Sequence, residues 1–229
     1  MRRDLAEGRF EKLAGRAKGY RTRVVELAEK YKPQYAFGMM RWTRGDSLYG
    51  KYFGSFYQKT YRDATRIATD FKVLTRPPLH EWKYRVDRDE VGEEEGWHAP
   101  AFDDSGWKTT DVMRETWSSL GLHNYQGAMW YRTDLELRDL PAGKKVYLWI
   151  GATDGTARVF INGQHIPYSS KKGESKDVFR GYCRPASWEV TRALHEGENE
   201  VAILCERTGL NELGTGGLLA PAAFYREKD

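Results

Sequence analysis

Cysteine is scarce in this chain: Cys183 and Cys205 are the only two in 229 residues. With no CxxC pair and no histidine at ligand spacing, a zinc finger or a disulfide-stapled scaffold is excluded. A single bridge between the two stays open. Cys205 ends the apolar run Val201-Ala202-Ile203-Leu204-Cys205, where a buried free thiol is the default. No apolar stretch approaches the ~18 residues of a membrane-crossing helix. Met1-Arg2-Arg3-Asp4 is not followed by the apolar middle of a signal peptide, which fits a cytoplasmic chain or a piece of a longer one. The five histidines, His80, His98, His123, His165 and His195, form neither HxH nor HExxH. A GxSxG elbow and a Gly-Lys-Ser/Thr phosphate loop are also missing. Charge of one sign is not concentrated anywhere: 37 basic residues face 33 acidic ones, for a net +4. Even the Arg- and Lys-rich first 30 residues carry Asp4, Glu7, Glu11, Glu26 and Glu29. That pattern is a solvated helix face, and nucleic acid is not an expected partner.

Aromatic residues are plentiful, at 14% with 8 Trp and 14 Tyr, which suits all-β cores and sugar-binding surfaces alike. Two grammars divide the chain. In 4–30, Leu5, Phe10, Leu13, Ala17, Tyr20, Val24, Leu27 and Ala28 recur at three- and four-residue steps, a helical period. A second helical stretch is expected over 50–72, with an unusually aromatic stripe from Tyr52 to Phe71. Arg76-Pro77-Pro78 then punctuates the chain. Beyond it the period becomes two, as in Trp82-Lys83-Tyr84-Arg85-Val86-Asp87, and again in 129–137, 145–150, 157–161 and 201–205. Asp154-Gly155, Asn162-Gly163 and Glu196-Gly197-Glu198-Asn199 supply turns, the Asn-Gly being a strong hairpin signal. The expected organisation is a helical segment over 1–75 followed by a β-sandwich over 79–226, a mainly β chain.

Five segments make this sandwich resemble one known family. Gly96-Trp97-His98-Ala99-Pro100-Ala101-Phe102-Asp103-Asp104-Ser105-Gly106-Trp107-Lys108 resembles the opening of the sugar-binding domain of family 2 glycoside hydrolases. Tyr125-Gln126-Gly127-Ala128-Met129-Trp130-Tyr131-Arg132, then 154–163 ending in Asn162-Gly163, then Leu194 to Ala202, then Gly216-Gly217-Leu218 are similar to its later blocks, in order. The resemblance implies a galactose-binding-like jelly roll, with Trp107 and Trp130 in its core. It implies architecture more than activity, since the catalytic barrel of that family is a separate domain of ~250 residues. The segment 1–75 is similar to a tail following such a barrel. A parent glycoside hydrolase and an extracytoplasmic or secreted setting follow from the resemblance alone.

The carboxylates Glu81, Asp87, Asp89, Glu189, Glu206 and Glu212 are not placed by any motif into the facing pair a glycosidase needs. Glu93-Glu94-Glu95 reads as a solvated loop, and no catalytic residue is expected. The resemblance implies binding loops at one end of the sandwich. Loop 113–126 carries Trp117, His123 and Tyr125. Loop 164–185 carries Arg180 and Tyr182, with Tyr168, Lys171, Lys172 and Lys176. Asn211 and Glu212 follow the last long strand. Aromatic faces flanked by Arg, Asn and Glu suit a pyranose ring, and Arg180 with the lysines would meet an acidic one. The competing reading has Trp117 and Tyr125 covering the sandwich edge or contacting the N-terminal helices. No cofactor is expected beyond a structural calcium at Asp103 and Asp104, whose turn-forming role explains them equally well. The expected function is a non-catalytic carbohydrate-associated module whose partners are an oligosaccharide and a catalytic domain or a second copy. The alternative is a structural domain without sugar affinity.

Overall fold

The computed structural model describes residues 1–31, 54–138, 140, 143–169, 173–181, 183–209 and 215–228. The chain forms two compact units, Met1–Asp70 and Phe71–Asp229.

The first unit holds α1 (Arg2–Ala6), α2 (Phe10–Tyr31) and α3 (Gly54–Asp70). Phe10, Leu13, Ala14 and Ala17 on α2 are buried, as are Thr60, Ala64 and Ile67 on α3, each set at helical spacing. The two helices pack on one another. Asp4 is fully buried, and its carboxylate is met by Arg9 at 3.1 Å, Arg16 at 2.9 Å and the terminal amine at 3.4 Å. A buried carboxylate requires such pairing.

The second unit is an antiparallel sandwich. Its strands are β1 (Phe71–Val73), β2 (Glu81–Asp87), β3 (Lys108–Asp111), β4 (Gly127–Leu137), β5 (Val146–Asp154) and β6 (Thr156–Ile161). They continue with β7 (Gln164–Ile166), β8 (Tyr168–Ser169), β9 (Ser175–Lys176), β10 (Phe179–Arg180), β11 (Arg184–Glu189), β12 (Gly197–Arg207), β13 (Gly217–Leu218) and β14 (Ala222–Glu227). One sheet runs β1-β14-β5-β11 with β13 also on β5; the other runs β10-β6-β12-β4-β2-β3 with β7 on β6. Met129, Tyr131, Val159, Val201, Ile203 and Cys205 from the second sheet share one core with Leu148, Ile150, Trp188, Leu218 and Phe224 from the first. The chain is therefore mainly β, with a sandwich preceded by helices.

One local feature differs from the sequence pattern. The helical rhythm through Phe71 stops at Asp70, and Phe71 opens β1, which pairs with β14. Its ring sits edge-on to Tyr147 at 5.7 Å and Tyr225 at 4.8 Å, so long-range packing overrides the local period. The sandwich thus begins at Phe71, ahead of the prolines. Asp154-Gly155 does turn the chain, as the corner that carries it from β5 in one sheet to β6 in the other. Gly155 takes φ +78°, and a Cβ there would strike the Glu206 carbonyl. Both cysteines are free.

Asn162-Gly163 does form the hairpin between β6 and β7, pairing Ile161 with Gln164 at φ of 51° and 80°. The Asn162 side chain then reaches across the sheet end. Its Oδ1 accepts from the Glu200 amide at 2.8 Å, while Nδ2 donates to the Ala193 carbonyl and to Asn199 Oδ1, each at 2.8 Å. Asn162→Ala leaves these groups unpaired and forces alanine into positive φ, at a cost of about 2–3 kcal/mol. Urea unfolding should show a lower midpoint at unchanged slope; an unchanged midpoint would mean the amide contributes nothing to this corner.

Candidate functional site

Residues 88–107 leave the end of β2 and fold over the outer face of the larger sheet. That face is apolar: Ala128, Trp130, Phe160, Ala202 and Leu204 form a second cluster with Trp97, joined by Val91, Phe102 and Trp107. Three polar ties hold the flap. Asp87 accepts hydrogen bonds from the Trp130 indole at 3.0 Å, the Val91 amide at 3.0 Å and the Gly92 amide at 2.9 Å. The Arg132 guanidinium donates to Asp104 at 2.9 Å, to the Trp97 carbonyl, and to the Ala99 carbonyl at 3.3 Å. Glu93 pairs with Arg158 at 2.7 Å, and Glu95 accepts from the Trp97 indole at 2.8 Å. The acidic run 93–95 is therefore partly a fastening for the flap, not only a solvated loop.

Where the flap ends, it borders a cleft of about 540 Å³. Asp103, Gly106 and Trp107 of the flap and Lys108 of β3 form one wall, Tyr84, Arg85 and Val86 of β2 with Arg88 just beyond it form the floor, and Leu120, Gly121 and Leu122 form the opposite wall. Strand alternation puts Tyr84 and Val86 toward the core and Arg85 on the other side, so the cleft wraps the sheet edge. Arg85 lies over the Trp97 ring at 4.2 Å and Arg88 over the Tyr125 ring at 5.4 Å. Asp103 is the one carboxylate in the lining. Its carboxyl is held below the ordinary range by the Ser105 backbone amide, which donates to it at 3.0 Å.

The loop residues singled out from sequence are only partly brought together. Trp117 is fully buried and donates its indole N–H to the Tyr131 hydroxyl at 2.7 Å. This corrects its expected role: the ring has no face left for a ligand. Tyr125 is half-buried, with its ring 5.5 Å from Trp117 and its hydroxyl donating to the Ala128 carbonyl at 3.3 Å. It supports Arg88 from beneath. His123 is exposed near the cleft wall in sequence but does not line it, and exposed Arg180 on β10 does not line it either. Tyr168 packs on Phe179 at 4.7 Å and Trp188 at 5.6 Å, and Lys176 is exposed. Tyr182, Lys171, Lys172, Asn211 and Glu212 lie outside the described residues. Loop 113–126 does reach the cleft, through Leu120 to Leu122. Sequence does not single out Arg85, Arg88 and Lys108: Arg85 alternates with apolar residues along β2 and reads as its solvated face, and Arg88 and Lys108 flank strand ends among other charges.

Calcium does not fit Asp103 and Asp104. Asp104 is bonded by Lys83 and Arg132, whose positive charges oppose a cation, and Asp103 turns back to its own loop. Among the described residues no group of three or more His, Cys, Asp or Glu is placed to hold a metal.

Comparison with known proteins agrees with this frame. The family model described as "Beta-galactosidase second all-beta domain" matches residues 92–211. A β-glucuronidase of Paenibacillus borealis is 28% identical over 125 residues, covering 54% of this chain and 19% of its own. The Bacteroides uniformis β-glucuronidase structure superposes with a TM-score of 0.52 at 20% identity, over 68% of this chain and 18% of its own. A β-glucuronidase from glycoside hydrolase family 2 gives 0.53 at 17% identity, over 69% and 18%. At these identities the superpositions show the fold. The chain spans about a fifth of the length of these relatives.

The buried face under the flap has a titration signature. Glu200 is 6% exposed and lies 2.7 Å from Arg132. Burial outweighs that partner and, with Asp134 and Asp104 nearby, pushes the Glu200 carboxyl up to about 7. Below an unfolded pKa of ~4.3 both states hold the proton. Between there and about 7 the folded chain keeps a proton the unfolded chain has released, so stability falls as pH rises; above about 7 the loss is complete. Glu200→Gln carries no such proton. Urea unfolding across this range should show the wild type losing stability relative to Glu200→Gln as pH rises; parallel curves would mean another group titrates.

Proposed function

Since the chain belongs to the family of the β-galactosidase second all-beta domain, we propose that it is a non-catalytic carbohydrate-associated module of a protein related to the family 2 β-glucuronidases. It would contact sugar while a separate catalytic domain performs the hydrolysis, and an extracytoplasmic setting goes with that role. The observation that supports the reading is the composition of the cleft. Its lining joins two aromatic side chains, Tyr84 and Trp107, to directed polar groups at the sheet edge, the combination a pyranose uses. Glycoside hydrolysis instead calls for two carboxyl groups, one raised in pKa to act as acid. Asp103 stands alone in the lining and its carboxyl is shifted the other way.

A second reading has one specific observation in its favour: Trp117 and Tyr125 are built into the sandwich itself. In that reading the unit is a structural domain whose surfaces meet a catalytic domain or another subunit, with no sugar affinity.

Gly106 separates the two. It lines the cleft, and a Cβ placed on it meets nothing within 4 Å. Gly106→Phe should therefore fill the cleft without disturbing the fold. In affinity electrophoresis through polysaccharide-containing gels, the wild-type chain should be retarded by at least one glycan. Gly106→Phe should run free while unfolding at the wild-type midpoint. A folded wild type that no glycan retards would leave the structural reading standing.

A further inference from the structure

Building on that reading, we propose that the cleft selects saccharides carrying an anionic group, a carboxylate or a sulfate, and that Arg85 and Arg88 are the residues that bind it. Three cations, Arg85, Arg88 and Lys108, line the cleft against the single carboxylate of Asp103. All three are exposed. Elsewhere on this face the basic side chains are already used: Lys83 and Arg132 on Asp104, Arg158 on Glu93. Among the described residues no acidic side chain lies within ion-pair distance of Arg85, Arg88 or Lys108. The cleft lining therefore carries three cations to one carboxylate, with exposed Asp89 and Glu90 following Arg88 in the chain but forming no ion pair with it.

The two arginines are also held in place. Each guanidinium rests on an aromatic face, Arg85 on buried Trp97 and Arg88 on half-buried Tyr125. Stacking orients the planar fork and reduces the freedom lost on binding. A guanidinium presents two parallel N–H donors, matching the two oxygens of a carboxylate or a sulfate edge. Neutral hydroxyls accept from the same donors but leave the positive charge unpaired, and burying it under a neutral sugar costs affinity. β3 pairs with β2 only over Glu81–Tyr84. The backbone edge of β2 beyond Tyr84 is thus left beside the arginines, where it can meet ring hydroxyls. Leu120 and Leu122 close the far wall with apolar surface.

The test is a binding titration of the full chain at one fixed salt concentration against four polymers: a neutral glucan, a uronic-acid polymer, a sulfated polysaccharide and polyglutamate. Expected is at least tenfold tighter binding to one of the two anionic polysaccharides than to the glucan or polyglutamate. The polysaccharide preferred identifies carboxylate or sulfate as the group recognised. Arg85→Gln and Arg88→Gln should each weaken that binding by about tenfold, the loss of one charge-assisted contact. Arg192→Gln, which removes an exposed charge away from the cleft, should leave it unchanged. Binding to the glucan alone, unaffected by the arginine variants, overturns the proposal and keeps the sugar-binding reading. Equal binding to polyglutamate overturns it in favour of plain charge attraction. Binding to none of the four overturns both.

Discussion

The larger sheet is apolar on both faces, and that constraint organises the rest of the sandwich. Antiparallel sheets usually bury one face and wet the other. Here β4, β6 and β12 turn Met129, Tyr131, Val159, Ile161, Val201 and Ile203 toward one core, and Ala128, Trp130, Phe160, Ala202 and Leu204 toward another. The second face carries a tryptophan and a phenylalanine, each worth a large area of burial, so it needs a lid. The 88–107 flap is that lid, and Trp97 is its plug, with Trp107 at 5.5 Å and Trp130 at 6.5 Å.

Covering an apolar face with a loop brings backbone and charge into a dry place, and these must be matched. Asp87, Asp104, Arg132 and Glu93 do this by tying the flap to strands beneath it. Asp104 is the pivot. Burial alone would raise its carboxyl, but Lys83 and Arg132 outweigh burial and hold it below the ordinary carboxylate range. Its ionised state therefore fixes the end of the flap, and the next residues, Gly106 and Trp107, become the wall of the cleft. The cleft is in this sense a by-product of the second core. The same clamp pairs Asp104 and Glu93 with Lys83, Arg132 and Arg158, and leaves Arg85, Arg88 and Lys108 at its margin outside those pairs.

Much of this was legible in the sequence where structure is local. The alternation in 81–87 marks β2, and Asn162-Gly163 marks the β6–β7 hairpin through the positive φ both residues accept. Trp130 and Trp107 do enter apolar clusters. What escaped depends on contacts far apart in sequence. Trp117 stands among Glu115, Thr116, Ser118 and Ser119, a surface-like neighbourhood, yet its ring is claimed by Tyr131 and by the backbone of Gly216-Gly217. Phe71 continues a helical rhythm and is nonetheless drawn into a strand by Tyr147 and Tyr225. Arg85 and Arg88 look like ordinary solvated positions until Trp97 and Tyr125 are seen beneath them.

The sequence blocks that resemble the family turn out to be partners of one another in space. Asp104 of the first block holds Arg132 of the second. Asn162 of the third meets Asn199 and Glu200 of the fourth. Gly216 of the last donates its amide to Asp154 of the third at 3.0 Å, and a Cβ on it or on Gly217 would strike Trp117. Such blocks are joints, and joints report a frame whatever the frame is used for. Arg85, Arg88 and Leu120 to Leu122 lie outside every one of them, while Asp103, Gly106, Trp107 and Lys108 lie within the first. Within the cleft, Asp103 to Lys108 and Leu120 to Leu122 fall inside the stretch matched by the family model, and Tyr84, Arg85, Val86 and Arg88 precede it. Packing of the frame accounts for the position of residues 103–108; it does not account for the cations Arg85 and Arg88, which make no ion pair with it.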